Sequence, residues 1–108
     1  MTTSSFAVAG RHERAVAVSR SVPSWYRGRR YPSLAPCWPL VRVKDVAKFT
    51  RLYHEKVLAR LDPHKVVEEL GVDAVLLCYE PYPVFCHRQL VGRWLRRAGI
   101  YCREWRTR

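Results

Sequence analysis

A small α/β domain with a short, mostly parallel sheet in two or three layers is the fold class this sequence predicts, in the order strand, two helices, strand, helix, strand. Three observations carry the prediction. "VDAVLLCYE" (72–80) is apolar at successive positions, as a strand covered on both faces must be. Ala15–Val18 is a second compact, valine-rich run, closed by Ser19, Arg20 and Pro23. Helical spacing fills the stretches between and after these runs, and strands separated by helices pair in parallel through crossover connections. The chain of 108 residues has room for a single domain, 1–108, since single domains run to roughly 100–150 residues.

In chain order, residues 1–13 are expected to be flexible or to add a short extra strand at "FAVAG" (6–10). After the Ala15–Val18 strand comes "SWYRGRRYPSLAPCWPL" (24–40), read as a long ordered loop because proline recurs at 23, 32, 36 and 39. Its aromatic residues Trp25, Tyr26, Tyr31 and Trp38 are expected to pack over the body. Loops of this length in compact domains are often functional. Between Val43 and Leu61, Val46, Phe49, Tyr53 and Val57 recur at three- and four-residue intervals, with Asp45 at the start and Lys56 and Arg60 near the end, where the helix dipole favours them. A shorter helix restarts with Asp62 as N-cap and Pro63 at the first position, and Gly71 lies past its end. The strand at 72–80 should be central. Beyond the Pro81-Tyr82-Pro83 turn, Leu90, Val91, Trp94, Leu95 and Ala98 mark one face of a third helix that Gly99 stops. "IYCREW" (100–105) reads as an edge strand leading into a basic tail, 104–108.

Charge narrows the partners. The net charge of +11 is divided into about +7 up to Lys44, −2 from Asp45 to His87 and +6 from Arg88 onward. Such a field favours polyanions, nucleotides and anionic metabolites, although the same lopsided surface also serves plain solubility. No apolar run reaches the roughly 18–20 residues of a membrane helix, and the opening segment lacks the basic and apolar regions of a signal peptide. A cytoplasmic protein with no membrane partner is therefore expected. Its four cysteines, 37, 78, 86 and 102, should then be reduced thiols.

In a parallel sheet, ligands bind beyond the carboxyl ends of the strands. Ser19 and Arg20 leave the first strand at the edge where Cys78, Tyr79 and Glu80 leave the second, and the third helix begins near Cys86, His87 and Arg88. Free N–H groups at that helix start suit phosphate, carboxylate or thiolate. Cys86 is accordingly the candidate nucleophile, against the alternative of a small buried apolar residue. Glu80 is a candidate general acid or base, or else a structural partner of Arg88 or Arg20. His87 is a candidate proton carrier, or else a helix-start residue bonded to backbone. Arg88 is the candidate anion contact because its fork binds oxyanions bidentately, with Ser19, Arg20 and Cys78 completing the ligand-binding set.

Other chemistries fail on spacing. A phosphatase-type loop needs an arginine six positions after its cysteine, where this chain has Gly92. Zinc from Cys78, Cys86 and His87 lacks the usual short Cys-x-x-Cys pair, and neither a phosphate-cradling glycine loop nor His-Glu-x-x-His occurs, so neither metal nor cofactor is expected. A separate basic feature, with Arg93, Arg96, Arg97 and Arg103 near Trp94 and Trp105, could bind nucleic acid through phosphate contacts and stacking.

The segments "AVAVSRSVPSWYRGRRYPSLAP", "LLCYE" and "FCHRQLVGRWL" together resemble a widespread prokaryotic family, domain of unknown function four-eight-eight, whose signature is Cys-x-Glu followed by Cys-His-Arg, here Cys78, Glu80, Cys86, His87 and Arg88. The resemblance runs from about Ala15 and implies a small α/β domain without an established reaction. Where the family commonly has Asp-Val-Arg after the first strand, this chain has Val18-Ser19-Arg20, which keeps only the arginine.

Three functions follow as expectations. The first is a domain that binds an anionic small molecule or nucleotide at the strand ends, with binding alone and a cysteine-dependent enzyme both open. The second is a nucleic-acid module. The third is a structural or protein-interaction unit in which the signature holds the fold together.

Overall fold

The computed structural model describes residues 1–80 and 84–105. Thr2–Ser5 form strand β1, which runs directly into a one-turn helix, α1 (Phe6–Ala9), capped by Ser5 Oγ accepting from the Val8 N–H at 3.3 Å. The extra strand is thus the polar "TTSS" segment, and "FAVA" is helical. Its side chains explain how polar residues can be buried there: Thr3 Oγ1 donates to Glu104 Oε1 at 2.7 Å and Ser4 Oγ to the Trp105 carbonyl at 2.6 Å.

The remaining elements are β2 (Ala15–Ala17), β3 (Arg29–Arg30), α2 (Trp38–Val41), α3 (Val46–Lys56), α4 (Pro63–Leu70), β4 (Val75–Cys78), α5 (His87–Arg97) and β5 (Arg103–Glu104). The sheet is parallel throughout, in the order β3-β2-β4-β1-β5. As expected from its unbroken apolar run, β4 is the central strand, and β5 is an edge.

Segment 24–40, expected to be a loop, contains β3, a 3-10 turn at Pro32–Leu34 and the start of α2. Its backbone extends the ladder beside β2, with the Tyr31 N–H donating to the Ala17 carbonyl at 2.8 Å. Tyr26 is buried and its hydroxyl donates to the Arg29 carbonyl at 2.6 Å. Trp38, by contrast, is 53% exposed and does not pack over the body.

Alternation along the strands gives the sheet two covered faces. Val16, Val18 and Leu76 point into a core shared with Tyr53 of α3, Val66 and Leu70 of α4, and Leu90, Val91 and Leu95 of α5. Ala15, Ala17, Val75 and Leu77 face the other way, under Phe6 and Ala9 of α1 and Tyr26. Small alanines on this second side let the short α1 and the aromatic loop lie close. The result is three layers, one of them thin.

Helix boundaries follow the cap chemistry. Asp45 accepts from the Lys48 N–H and Asp62 from the His64 N–H, both at 2.9 Å, and Gly71 ends α4 at φ 94°, a conformation open to glycine. The Pro81-Tyr82-Pro83 turn and the tail residues 106–108 lie outside the described residues. Among the described residues no helix is long and apolar enough to cross a membrane.

Candidate functional site

A pocket of about 320 Å³ opens at the carboxyl ends of β2 and β4, against the first turn of α5. Ser19, Arg20, Cys78, Glu80, Cys86 and His87 all line it. The chain therefore brings together six of the seven residues expected there. Arg88 is the exception.

Arg88 is fully buried beneath the pocket, at 0% exposure. Its Nε and Nη2 donate to the two oxygens of Glu104 at 3.2 and 2.8 Å, and its Nη1 donates to the Glu80 carbonyl at 2.5 Å and to Cys78 Sγ at 3.2 Å. Every nitrogen of the guanidinium is spent inside the protein, so Arg88 is a positioning residue and not the anion contact. The second residue of α5 points toward the sheet, and the acidic partner comes from β5, which no local pattern reveals.

The other expected residues divide by what their atoms are already doing. Arg20 donates from Nε to the Pro36 carbonyl and from Nη2 to the Ala35 carbonyl, each at 3.0 Å, and so pins the 31–36 segment while lining the pocket. Ser19 Oγ donates to the Ser21 carbonyl at 2.5 Å. The Glu80 side chain is exposed on the rim, so the buried setting that an acid or base role would draw on is absent.

Cys86 is the N-cap of α5 and is buried. The structure joins it to Cys78 as a disulfide, leaving Cys37 exposed and Cys102 buried as free cysteines. The expectation of four reduced thiols is corrected accordingly, and in this form Cys86 has no thiolate to attack with. The two cysteines are eight positions apart, a pairing that sequence spacing does not disclose. Burial pushes the Cys102 thiol up from its ordinary value, as suits a structural cysteine.

His87 is buried between Tyr53, whose ring lies 5.5 Å away, and the end of β2. Its Nε2 is 2.6 Å from the Val18 carbonyl, which can only accept, so Nε2 carries the proton and Nδ1 the lone pair. Nδ1 lies 3.9 Å from Cys86 Sγ. Burial, with a further contribution from neighbouring Arg88, lowers the ring to about 4, and it stays neutral at pH 7. Backbone bonding, the structural alternative for His87, is thus present, and a proton carrier cycling through imidazolium is disfavoured.

Sequence reasoning missed the wall opposite the strands. Trp38 of α2, Lys44, Phe49 of α3 and Phe85 line the same pocket. A signal existed for two of them: Lys44 immediately precedes the Asp45 cap, and Trp38 is a large aromatic residue set between Pro36 and Pro39.

The residues of the basic feature lie elsewhere. Arg93, Arg96 and Arg97 are exposed on α5 and Arg103 on β5, with Arg96 Nη1 donating to the Cys102 carbonyl at 3.0 Å. Trp94 packs against the main core, and Trp105 against the second core and the His12 ring, 5.2 Å away. The interleaved tryptophans are therefore packing residues, Trp94 on the inner side of α5 and Trp105 just beyond β5.

Comparison of the chain with protein-family models, with curated proteins and with solved structures gave no match.

Proposed function

We propose that this protein is a cytoplasmic binding domain for a small anionic molecule, nucleotides included, held in the pocket at the carboxyl edge of β2 and β4. The observation that carries the reading is the convergence of three backbone ends, those of β2, β4 and α5, on one cavity of about 320 Å³, within the roughly 300–1,000 Å³ range of ligand sites. Arg20 and Lys44 supply positive charge at its wall, the opening of α5 supplies N–H donors, and Trp38 and Phe85 supply flat apolar surface for a ring. The Cys-x-Glu and Cys-His-Arg segments that suggest family four-eight-eight supply the floor and the Arg88 support beneath it.

Calorimetric titration with inorganic phosphate and with adenosine monophosphate tests the reading. Lys44→Glu should weaken phosphate binding by about tenfold or more, the worth of one charge-assisted hydrogen bond. Trp38→Ala should weaken the nucleotide and leave phosphate unchanged, since stacking acts on the base alone. Arg97→Glu, remote from the pocket, should change neither. Equal losses in Lys44→Glu and Arg97→Glu would reduce the effect to the general basic field, and no binding of either probe removes the proposal.

A second reading is favoured by the exposure of Arg93, Arg96, Arg97 and Arg103, which offers a nucleic-acid backbone a cationic ridge on α5 and the adjoining edge strand. Cysteine-dependent chemistry at the pocket would require the Cys78–Cys86 bond to be open. The Arg88 contact would then favour the thiolate at Cys78 over the one at Cys86.

A further inference from the structure

Cys78, Cys86 and His87 are separated by no recognised metal spacing, yet their ligand atoms lie within 4.8 Å of one another and all three residues are buried. Two come from the start of a helix and one from the end of the central strand, so the grouping belongs to the fold alone. We propose that in the reduced protein these three side chains form a binding site for a divalent ion of the zinc class, with its fourth position open to the pocket. The ion would deepen the binding reading above by placing a Lewis acid on the pocket floor, but its presence does not depend on that reading.

Four features point to a metal. The donor set, two sulfurs and one imidazole nitrogen, is the soft and borderline combination that selects zinc over magnesium or calcium. The histidine tautomer is already the right one: Nε2 gives its proton to the Val18 carbonyl at 2.6 Å, and the Nδ1 lone pair sits on the cysteine side. That backbone carbonyl is the outer partner that metal-bound histidines characteristically have. Arg88 Nη1 touches Cys78 Sγ at 3.2 Å, an outer interaction that supports a thiolate.

The backbone spacing agrees. The Cα atoms of Cys78 and Cys86 are 7.0 Å apart, beyond the roughly 4.4–6.8 Å that disulfides usually span. Around a tetrahedral zinc with bonds of about 2.3 Å to sulfur, the two sulfurs would stand about 3.8 Å apart, which a wider Cα spacing accommodates. Three protein ligands with one open position is the arrangement of catalytic zinc, whereas structural zinc is closed by four. All three ligating residues line the pocket, so that open position faces the cavity and its water or anion.

Entry of the ion requires the Cys78–Cys86 bond to be opened by a thiol reductant. Two electrons and two protons pass to the pair, giving two cysteine thiols, and the reductant leaves as its own disulfide. The divalent ion then displaces the two thiol protons to water, and two thiolates neutralise its charge. A small-molecule disulfide would close the site again, taking two electrons and leaving as two thiols while the Cys78–Cys86 bond re-forms and the ion is released, which makes metal occupancy dependent on the redox state of the pair.

Cobalt(II) is the probe, because thiolate ligation produces a near-ultraviolet charge-transfer band and tetrahedral geometry produces visible bands. Protein reduced with a thiol, freed of it by gel filtration under argon and titrated with cobalt should show both, saturating at one ion per chain, and zinc should bleach them. The oxidised protein should show neither. Cys78→Ser and Cys86→Ser should each weaken cobalt affinity by more than about 100-fold, the upper range for removing an outer partner. His87→Gln should weaken it while keeping the charge-transfer band, and Cys37→Ser should behave as the parent. Absence of a thiolate band in the folded, reduced parent protein overturns the proposal, as does a band that survives Cys78→Ser and Cys86→Ser but is lost in Cys37→Ser. Titrating chelator-treated protein with phosphate separates the two proposals, since anion binding without the ion leaves the pocket reading standing whatever cobalt does.

Discussion

Arg88 shows how the identity of a residue can be read correctly and its role missed. A guanidinium at a helix start invites an anion, but here the anion is Glu104, bound through two hydrogen bonds at 2.8 and 3.2 Å. Removing one partner of such a pair leaves the other charge under-compensated, so Arg88→Met should cost about 3–5 kcal/mol in urea unfolding. Arg88→Lys should recover only part of that, because an ammonium cannot span both oxygens and also reach the Glu80 carbonyl. His87 gives a pH signature in metal-free protein. Burial holds its folded value near 4 against 6.5 for the free side chain, so between those values the unfolded chain takes up the proton first. Stability from this residue is complete above about pH 6.5 and drains away as pH falls to 4, by about 3 kcal/mol in total. Unfolding midpoints at pH 7, 5.5 and 4.5 should show that loss, and His87→Gln should flatten it.

Among the elements, α4 obeyed its local signals most closely. Asp62, Pro63 and Gly71 occupy the cap, first-turn and terminating positions that their chemistry suits. Asp62→Ala should cost about 1 kcal/mol through loss of the bond to the His64 N–H. Gly71→Ala should cost about 1–3 kcal/mol, all of it backbone, because a methyl group there would meet no other atom within 4 Å. Thermal melts of the two variants, made in one background, check both values. Strand β1 marks the opposite extreme. "TTSS" carries no strand signal of its own, since the hydroxyls of its two central residues, Thr3 and Ser4, are satisfied by Glu104 and Trp105 about 100 residues away. β3 is hidden for a related reason: two exposed arginines become a strand only because β2 offers them a ladder.

Across the whole molecule, the basic surface and the pocket are separable properties. Arg93, Arg97 and Arg103 lie on α5 and β5, away from the pocket lining, so charge reversal at all three should abolish binding to single-stranded DNA without changing phosphate titration. If the ridge binds nucleic acid, filter binding should also show affinity falling steeply with salt, and the slope should become shallower by about 0.7 for each phosphate that a single substitution releases. A salt-independent or absent signal removes that reading and leaves the pocket as the functional surface.

The order of amino acids was enough to dictate the α/β class, the central strand, three helices with the aspartate caps of two of them, and the edge at which Arg20, Glu80 and Cys86 would meet. These rest on periodicity and cap chemistry, which act over a few residues and are written into neighbouring positions. Folding was needed to reveal that Arg88 pairs with Glu104, that Cys78 reaches Cys86, that His87 bonds the end of β2, and that Trp38 and Lys44 close the far wall. Each of those pairings joins separate elements, and which side chains face one another across a sheet is set by strand order, a property no short stretch of chain contains.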